Sequence, residues 1–377
     1  MEPVSKPRIE RGQAFVILLA VVGGLAAAMA GSPRPDGPPP PPPLEVEASE
    51  PIVNEPPARV VLLAHTTPTG AVDVATVYGF ERPSEGAALL IPPSTLLEVP
   101  SLGTQTIADA VRLGSVDLLE LAVENALGIT IDETVVLDDT EVALAFAPAN
   151  NVEIDLRRDV RVEDPEGVIS LSAGPQTIDA PTAARLLIAP VAAQEELDQQ
   201  PVIRAALEAW RRAVRDASVA DQARLVDENL HSLVDQAGAA VHYDTLPVDG
   251  ISVGGTTRYS IRRADADELV ARALGFALVA GGGDRPRVEI LNGSGAIRVT
   301  PRVAQVVVPN GGEVTRTDNV PGFGVAESQI QYQDEADADA AHRLAEALGI
   351  VRVTAAAQPV NVVDVSIVIG ADFAPAP

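Results

Sequence analysis

Seventeen residues near the start of the chain, Ala14 to Ala30 (AFVILLAVVGGLAAAMA), carry no charge and are nearly all apolar. As a helix they lie at the short end of what crosses a bilayer. Lys6, Arg8 and Arg11 precede them, which favours a cytoplasmic N-terminus with everything after the helix outside. Ala28-Met29-Ala30 also has the small-x-small form of a cleavage site, so a removed signal peptide is the alternative, and the protein would then be secreted. On either reading the bulk of the chain is expected outside the cell membrane, held by a single pass at most. Residues 1–31 are thus assigned to a cytoplasmic tip and anchor. Residues 32–58 follow as a proline-rich stalk, in which Pro38 to Pro43 is an unbroken run expected as extended polyproline II.

Composition narrows the rest. The 377 residues include 53 acidic against 27 basic side chains, for a formal net charge of −26. Such a chain repels phosphate backbones, so nucleic acid is excluded as a general partner. There is no cysteine, hence no disulfide and no cysteine metal site, and four scattered histidines make a histidine-built centre improbable. Aromatics are only 3%, which disfavours base-stacking surfaces. Lys6 is the sole lysine and all other basic residues are arginine, a bias of the kind high-GC genomes produce.

Two folded units are expected after the stalk. In 59–278, strands are predicted at Arg59–His65, Val72–Tyr78, Gly86–Ile91, Thr95–Val99, Thr134–Leu137 and Val152–Leu156. Helices are predicted at Thr106–Leu113, Val116–Leu127 and Thr140–Phe146, with Gly128 as a stop. One long helix is expected from Pro201 to Ala237, where Ile203, Leu207, Trp210 and Val214, then Val226, Leu230 and Leu233, repeat at helical spacing. Strands over Gly250–Ile261 and a helix over Ala264–Leu274 close an α/β sandwich with a central mixed sheet. Residues 279–286 (VAGGGDRP) read as a flexible joint. Residues 287–373 read as a small βαββαβ-type α/β domain: Thr300 caps a helix with Pro301 first, Glu313–Arg316 pairs with Gln329–Gln333, Glu335–Leu348 is a helix, and strands follow at Val351–Val353 and Val363–Ile369.

The C-terminal stretch RVEILNGSG, then IQYQDEADADAAHRLAEALG and DVSIVIGADF, resembles the LytR C-terminal domain, with Gly370-Ala371-Asp372 as its clearest mark. The unit before it is similar to the LytR-CpsA-Psr domain, through fragments in the family's order: AVDVATVYGF, ALLIPPSTLLEVP, ENALGITIDETVVLDD, NVEIDL, LSAGPQTIDAPTAARLL, ELDQQPVIRAAL and TLPVDGISVGGTTRYSI. The resemblance implies transfer of glycopolymers from polyprenyl-pyrophosphate carriers to peptidoglycan or a related acceptor. It also implies arginines around a pyrophosphate, magnesium on carboxylates, and an apolar slot for the lipid.

Most of those cations are missing. Where the family has arginine and aspartate this chain has Pro93 and Ser94; where it has two further arginines it has Ile188 and Pro190. Ala71 replaces another, and Pro201 another. Asp73, Asp198 and Arg204 survive as remnant phosphate- or metal-site candidates. No catalytic residue is assigned with them, and no cofactor is expected. The reading is a non-catalytic relative that binds or positions envelope glycopolymer, a lipid-linked intermediate or an active family member. The alternative is a divergent phosphotransferase or pyrophosphatase with magnesium, its phosphate ligands rebuilt from arginines such as Arg157 or Arg258. Arg157, Arg158 and Arg161 otherwise read as a solvated charged loop. Asp334, Glu335, Asp337 and Asp339 do not have calcium-loop spacing, and Asn292-Gly-Ser-Gly295 has neither phosphate-loop spacing. His65 and His242 belong to no recognisable catalytic set; His231 and His342 are expected on helix surfaces.

Overall fold

The computed structural model describes residues 58–149, 151–164, 167–189, 195–225, 230–280, 284–359 and 361–373. The apolar segment at 14–30, the stalk up to residue 57, Pro190 and Val226 lie outside the described residues. Among the described residues no helix is long and apolar enough to cross a membrane.

β1 (Arg59–Thr66), β2 (Val72–Arg82) and β3 (Glu85–Leu90) form an antiparallel meander. The hairpin of β4 (Leu96–Val99) and β5 (Gly103–Thr106) leads to α1 (Ile107–Leu113), α2 (Val116–Leu127), β6 (Glu133–Leu137) and α3 (Asp139–Phe146). Next come β7 (Asn151–Leu156), the hairpin of β8 (Val160–Asp164) and β9 (Gly167–Leu171), and β10 (Gly174–Asp179), which returns antiparallel to β7. Helices α4 (Ala180–Ile188), α5 (Glu196–Asp216), α6 (Val219–Leu225) and α7 (His231–Asp235) follow. β11 (Ala240–Thr245), the hairpin of β12 (Val248–Val253) and β13 (Thr256–Ile261), and α8 (Arg263–Ala273) complete this part.

The central sheet has the order β11-β3-β2-β1-β6, with β1–β6 and β3–β11 parallel and the other pairs antiparallel. The run Val60-Val-Leu-Leu-Ala64 explains why it is central: a strand buried on both faces needs apolar side chains at every position. Successive side chains alternate between faces. Val61 and Leu63 join a core with Phe146, Leu186 and Trp210. Val60, Leu62 and Ala64 join another with Ile107, Leu119 and Leu269. This is the expected mixed-sheet α/β sandwich.

Among the described residues, the long helix expected from Pro201 to Ala237 is broken between Asp216 and Val219. α5 begins before the proline, at Glu196, and carries Pro201 inside it. It ends at Asp216 because Ala217 is extended and the Ser218 hydroxyl accepts the Asp221 N–H at 3.2 Å, which starts α6 afresh. β5, β8, β9, β10, α4 and β11 are elements the sequence reading did not assign.

In the C-terminal part, β14 (Arg287–Asn292), α9 (Val299–Val307), β15 (Glu313–Asn319), β16 (Gln329–Tyr332), α10 (Ala338–Leu348), β17 (Val353–Ala355) and β18 (Val365–Ile369) build a second mixed sheet, ordered β15-β14-β18-β16-β17. The expected pairing of β15 with β16 does not form. The α9 crossover lays β15 parallel to β14 at one edge, and β18 inserts between β14 and β16. Thr300 is not the cap of α9: Arg298 takes that position with φ 63°, and Pro301 is the third helical residue. α10 starts at Ala338 after a short 3-10 turn, and Val351 stands 98% exposed ahead of β17.

Residues 54–377 form one compact unit, so the expected joint is anchored on both flanks. The Val279 N–H donates to the Gly128 carbonyl at 2.9 Å, and Arg285 donates to the Asn125 carbonyl at 2.8 Å. Helix α2 serves both sheets. Leu119 and Val123 face the first, whereas Leu121 enters the core of the second. The buried Asn125 amide donates to the Val314 carbonyl and accepts the Val314 N–H, both at 2.8 Å. That caps part of the free edge of β15, which would otherwise expose unpaired backbone groups.

Candidate functional site

The β1–β2 turn, α4 and α5 enclose a slot of about 280 Å³. Leu186, Leu187 and Ile188 at the end of α4 and Val202 and Ile203 of α5 form its walls, because both helices turn one apolar stripe toward the sheet. Thr67, Asp73 and Gln199 supply its polar end. Among the described residues, no guanidinium lines the slot.

Asp73 is held from behind. The His65 imidazole is 3% exposed; its Nδ1 lies 2.5 Å from Asp73 Oδ1 and its Nε2 lies 3.0 Å from Asp139 Oδ1. Both ring nitrogens face carboxylate oxygens, so both contacts are hydrogen bonds only when each nitrogen carries a hydrogen. The ring therefore clamps the start of α3 to the β1–β2 turn. Proximity in sequence could have suggested the His65–Asp73 pair, across one tight turn. Asp139 could not be found that way.

Comparison with known proteins now bears on these features. Residues 285–373 match the LytR_C family, described as LytR cell envelope-related transcriptional attenuator. The fold before them is similar to that of B. subtilis TagV, at 15% identity and TM-score 0.51, covering 58% of this chain and 98% of that one. It is also similar to protein gbs0355 of Streptococcus agalactiae, at 11% identity and TM-score 0.50, covering 58% and 87%. The chain thus joins a TagV-like α/β fold to a stretch that matches the LytR_C family. A LytR-CPS2A-psr family protein, TagT, with bound octaprenyl pyrophosphate lipid, matches at 18% identity and TM-score 0.46, covering 58% and 91%. At these identities the likeness is one of fold. No curated protein matches the chain.

The residues singled out by sequence fall in different places. Asp73 and Ile188 meet in the slot. Ala71 is half-buried in the turn beside it. Pro93 is buried and its carbonyl accepts the Ala108 N–H at 2.9 Å; the Ser94 N–H is taken by Glu196 Oε1 at 2.8 Å. Pro201 is exposed on α5. Arg204 does not line the slot: its Nε donates to Glu208 at 2.6 Å, one helical turn on, and its guanidinium lies over the Tyr243 ring at 5.7 Å. Asp198 pairs with Arg158 at 3.5 Å on the surface. Arg161 pairs with Glu163 at 2.7 Å, and Arg258 donates to the neighbouring Thr257 carbonyl. The two carboxylates thus point to different partners: Asp73 is engaged by His65, and Asp198 by Arg158. Among the described residues no group of three or more acidic or histidine side chains is arranged to hold a metal.

The slot walls Leu186, Leu187 and Val202 were not singled out from sequence, and Ile203 was read only as part of a helical stripe. Their signal was present, as paired apolar residues flanking the position of a lost arginine. The Gly370-Ala371-Asp372 motif has a packing cause. A side chain at Gly370 would come within 2.5 Å of the Glu327 backbone, and Asp372 accepts the N–H and hydroxyl of Ser328 at 2.8 and 2.7 Å.

Proposed function

We propose that this protein is a membrane-anchored, extracytoplasmic component of envelope assembly that holds the apolar part of a lipid-linked glycan without transferring it. The anchor is the segment at 14–30. The slot walls carry the reading: an apolar cavity persists where Asp73 and Ile188 meet, while Ala71, Pro93 and Ile188 stand where a transferase of this fold would carry cations. A charge-assisted hydrogen bond is worth roughly 1.5–3 kcal/mol, so losing several removes most of the affinity for a pyrophosphate. What remains recognises hydrocarbon. The bound lipid would then be presented to peptidoglycan or to an active relative.

The test uses the full-length chain in detergent with magnesium and a lipid-pyrophosphate-linked saccharide. No transfer or hydrolysis is expected, and undecaprenol should compete for the slot as well as undecaprenyl pyrophosphate does. Turnover that disappears in Asp73→Ala or Arg204→Ala would establish a divergent phosphotransferase or pyrophosphatase instead.

A further inference from the structure

A second cleft, of about 480 Å³, lies outside the carboxyl ends of the parallel strands β14 and β15, and the turn of the β4–β5 hairpin closes it. Ligands of open α/β sheets bind in crevices of this kind. Among the described residues, the non-glycine side chains on left-handed backbone are Ser101 (φ 76°), Arg298 (φ 63°) and Phe323 (φ 49°), and all of them line this cleft. Such backbone is strained and persists only where its surroundings hold it.

The holding groups are the two motifs left without a role. Phe323 sits between Gly322 and Gly324, both at φ 82°. Val325 fills the space a side chain on Gly293 would need, at 2.5 Å, and donates its N–H to the Gly293 carbonyl at 3.1 Å. The Phe323 ring lies over Gly295, 3.4 Å from where a Cβ would stand. The Ala371 N–H donates to the Val325 carbonyl at 2.8 Å, so Gly370–Asp372 braces the same loop from behind. Asn292-Gly-Ser-Gly295 and Gly370–Asp372 together frame the loop that presents Phe323.

The groups presented are chemically mixed. Phe323 is 47% exposed and is the exposed aromatic side chain among the described residues. Arg298 is exposed and has no ion-pair partner among the described residues, so it offers donors only. Thr300 is 7% exposed, and its hydroxyl has no hydrogen-bond partner among the described residues. Asp318 supplies an acceptor; the Asn319 N–H and Arg316 hold its carboxyl below the usual range. Arg298 and the start of α9 alone would suit an anion. Asp318 opposes one. A ring face beside paired donors and acceptors suits a molecule with an apolar C–H face and hydroxyls that both give and take hydrogen bonds.

We propose that this junction cleft binds a neutral saccharide, its C–H face on Phe323 and its hydroxyls shared among Arg298, Thr300 and Asp318. The site is separate from the slot and does not depend on it. The test is saturation-transfer-difference NMR of the full-length chain in detergent with chitotetraose, mannotetraose, galactotetraose and arabinotetraose, with inorganic pyrophosphate as competitor. At least one saccharide should show transfer that falls by roughly fivefold or more in Phe323→Gly, a change the local φ accommodates. Transfer should fall similarly in Asp318→Asn and persist in Phe323→Tyr and Asp73→Ala. Absence of transfer from the whole panel, transfer unchanged in Phe323→Gly, or displacement by pyrophosphate would each overturn the proposal.

Discussion

The slot beneath α4 and α5 and the cleft at the junction are built from opposite kinds of residue. In the slot, Leu186, Leu187, Ile188, Val202 and Ile203 make aliphatic walls on ordinary backbone, and only Thr67, Asp73 and Gln199 are polar among the described lining residues. In the cleft, Arg298 and the exposed Phe323 ring stand on left-handed backbone beside the Asp318 carboxylate. The difference teaches how the two cavities are kept open. Apolar volume survives by packing alone, since aliphatic walls are needed for the core in any case. Strained polar geometry does not survive without support, and here the support is visible in Gly293, Gly295, Gly370 and Asp372.

Four changes would break or sharpen that contrast. The largest effect is expected from Asn125→Ala, which leaves the N–H and carbonyl of Val314 buried without partners, at about 1–3 kcal/mol for each group. Urea unfolding should show a loss of roughly 3 kcal/mol. Saccharide transfer should fall while lipid binding in the slot stays; if both fall together, the two regions are not separable.

Ala71→Arg combined with Ile188→Arg acts on the slot alone. It should raise the preference for undecaprenyl pyrophosphate over undecaprenol by roughly tenfold or more in competition binding. An unchanged ratio would remove the missing guanidiniums as the cause of the difference.

His65→Gln loosens the slot from behind. Asp73 and Asp139 are 32% and 53% exposed, so water replaces part of the lost contacts. The expected cost is roughly 1–2 kcal/mol in thermal unfolding, with weaker lipid binding and no change at the cleft.

The smallest effect concerns Glu124 of α2, whose carboxyl is pushed up to about 7, chiefly by burial, against the pull of the Ile131 N–H. The folded state then holds a proton that the unfolded chain releases near its ordinary carboxylate pKa. Stability associated with this group is present below that ordinary value and is lost as pH rises through about 7. Glu124→Gln should flatten the stability–pH curve between pH 5 and 8, by about 1 kcal/mol or less because the group is partly solvated. A curve as steep as the parent's would show that another group at the junction titrates.

Much of the fold was legible because local signals agreed with it. The apolar run of β1 marked a central strand, Gly128 and Gly349 ended α2 and α10 at φ 66° and 69°, and Trp210 lay on a buried stripe. The break in the expected long helix was also written in the chain, as Ser218 followed by Asp221, but continuous apolar spacing across 201–233 outweighed it. Strand pairing in the second sheet was not legible, since β18 comes last in the chain and still lies between β14 and β16. Of the residues singled out from sequence, Asp73 and Ile188 line one cavity. Arg204 and Asp198 do not line it, because local partners, Glu208 and Arg158, compete for those charges.

The chain's own pattern was enough for the mixed α/β class, for the glycine stops of α2 and α10, and for the apolar and acidic balance. These are properties of residue identity and short spacing, and no folding is required to see them. The roles of Leu121, Asn125, His65 and Phe323 were decided only by the folded arrangement. Each depends on a partner distant in sequence: the core of the second sheet for Leu121, Val314 for Asn125, Asp139 for His65, and the braced turn at Gly293–Gly295 for Phe323. Short-range periodicity carries no information about such partners, because they are set by which faces of two sheets happen to share one helix and one edge.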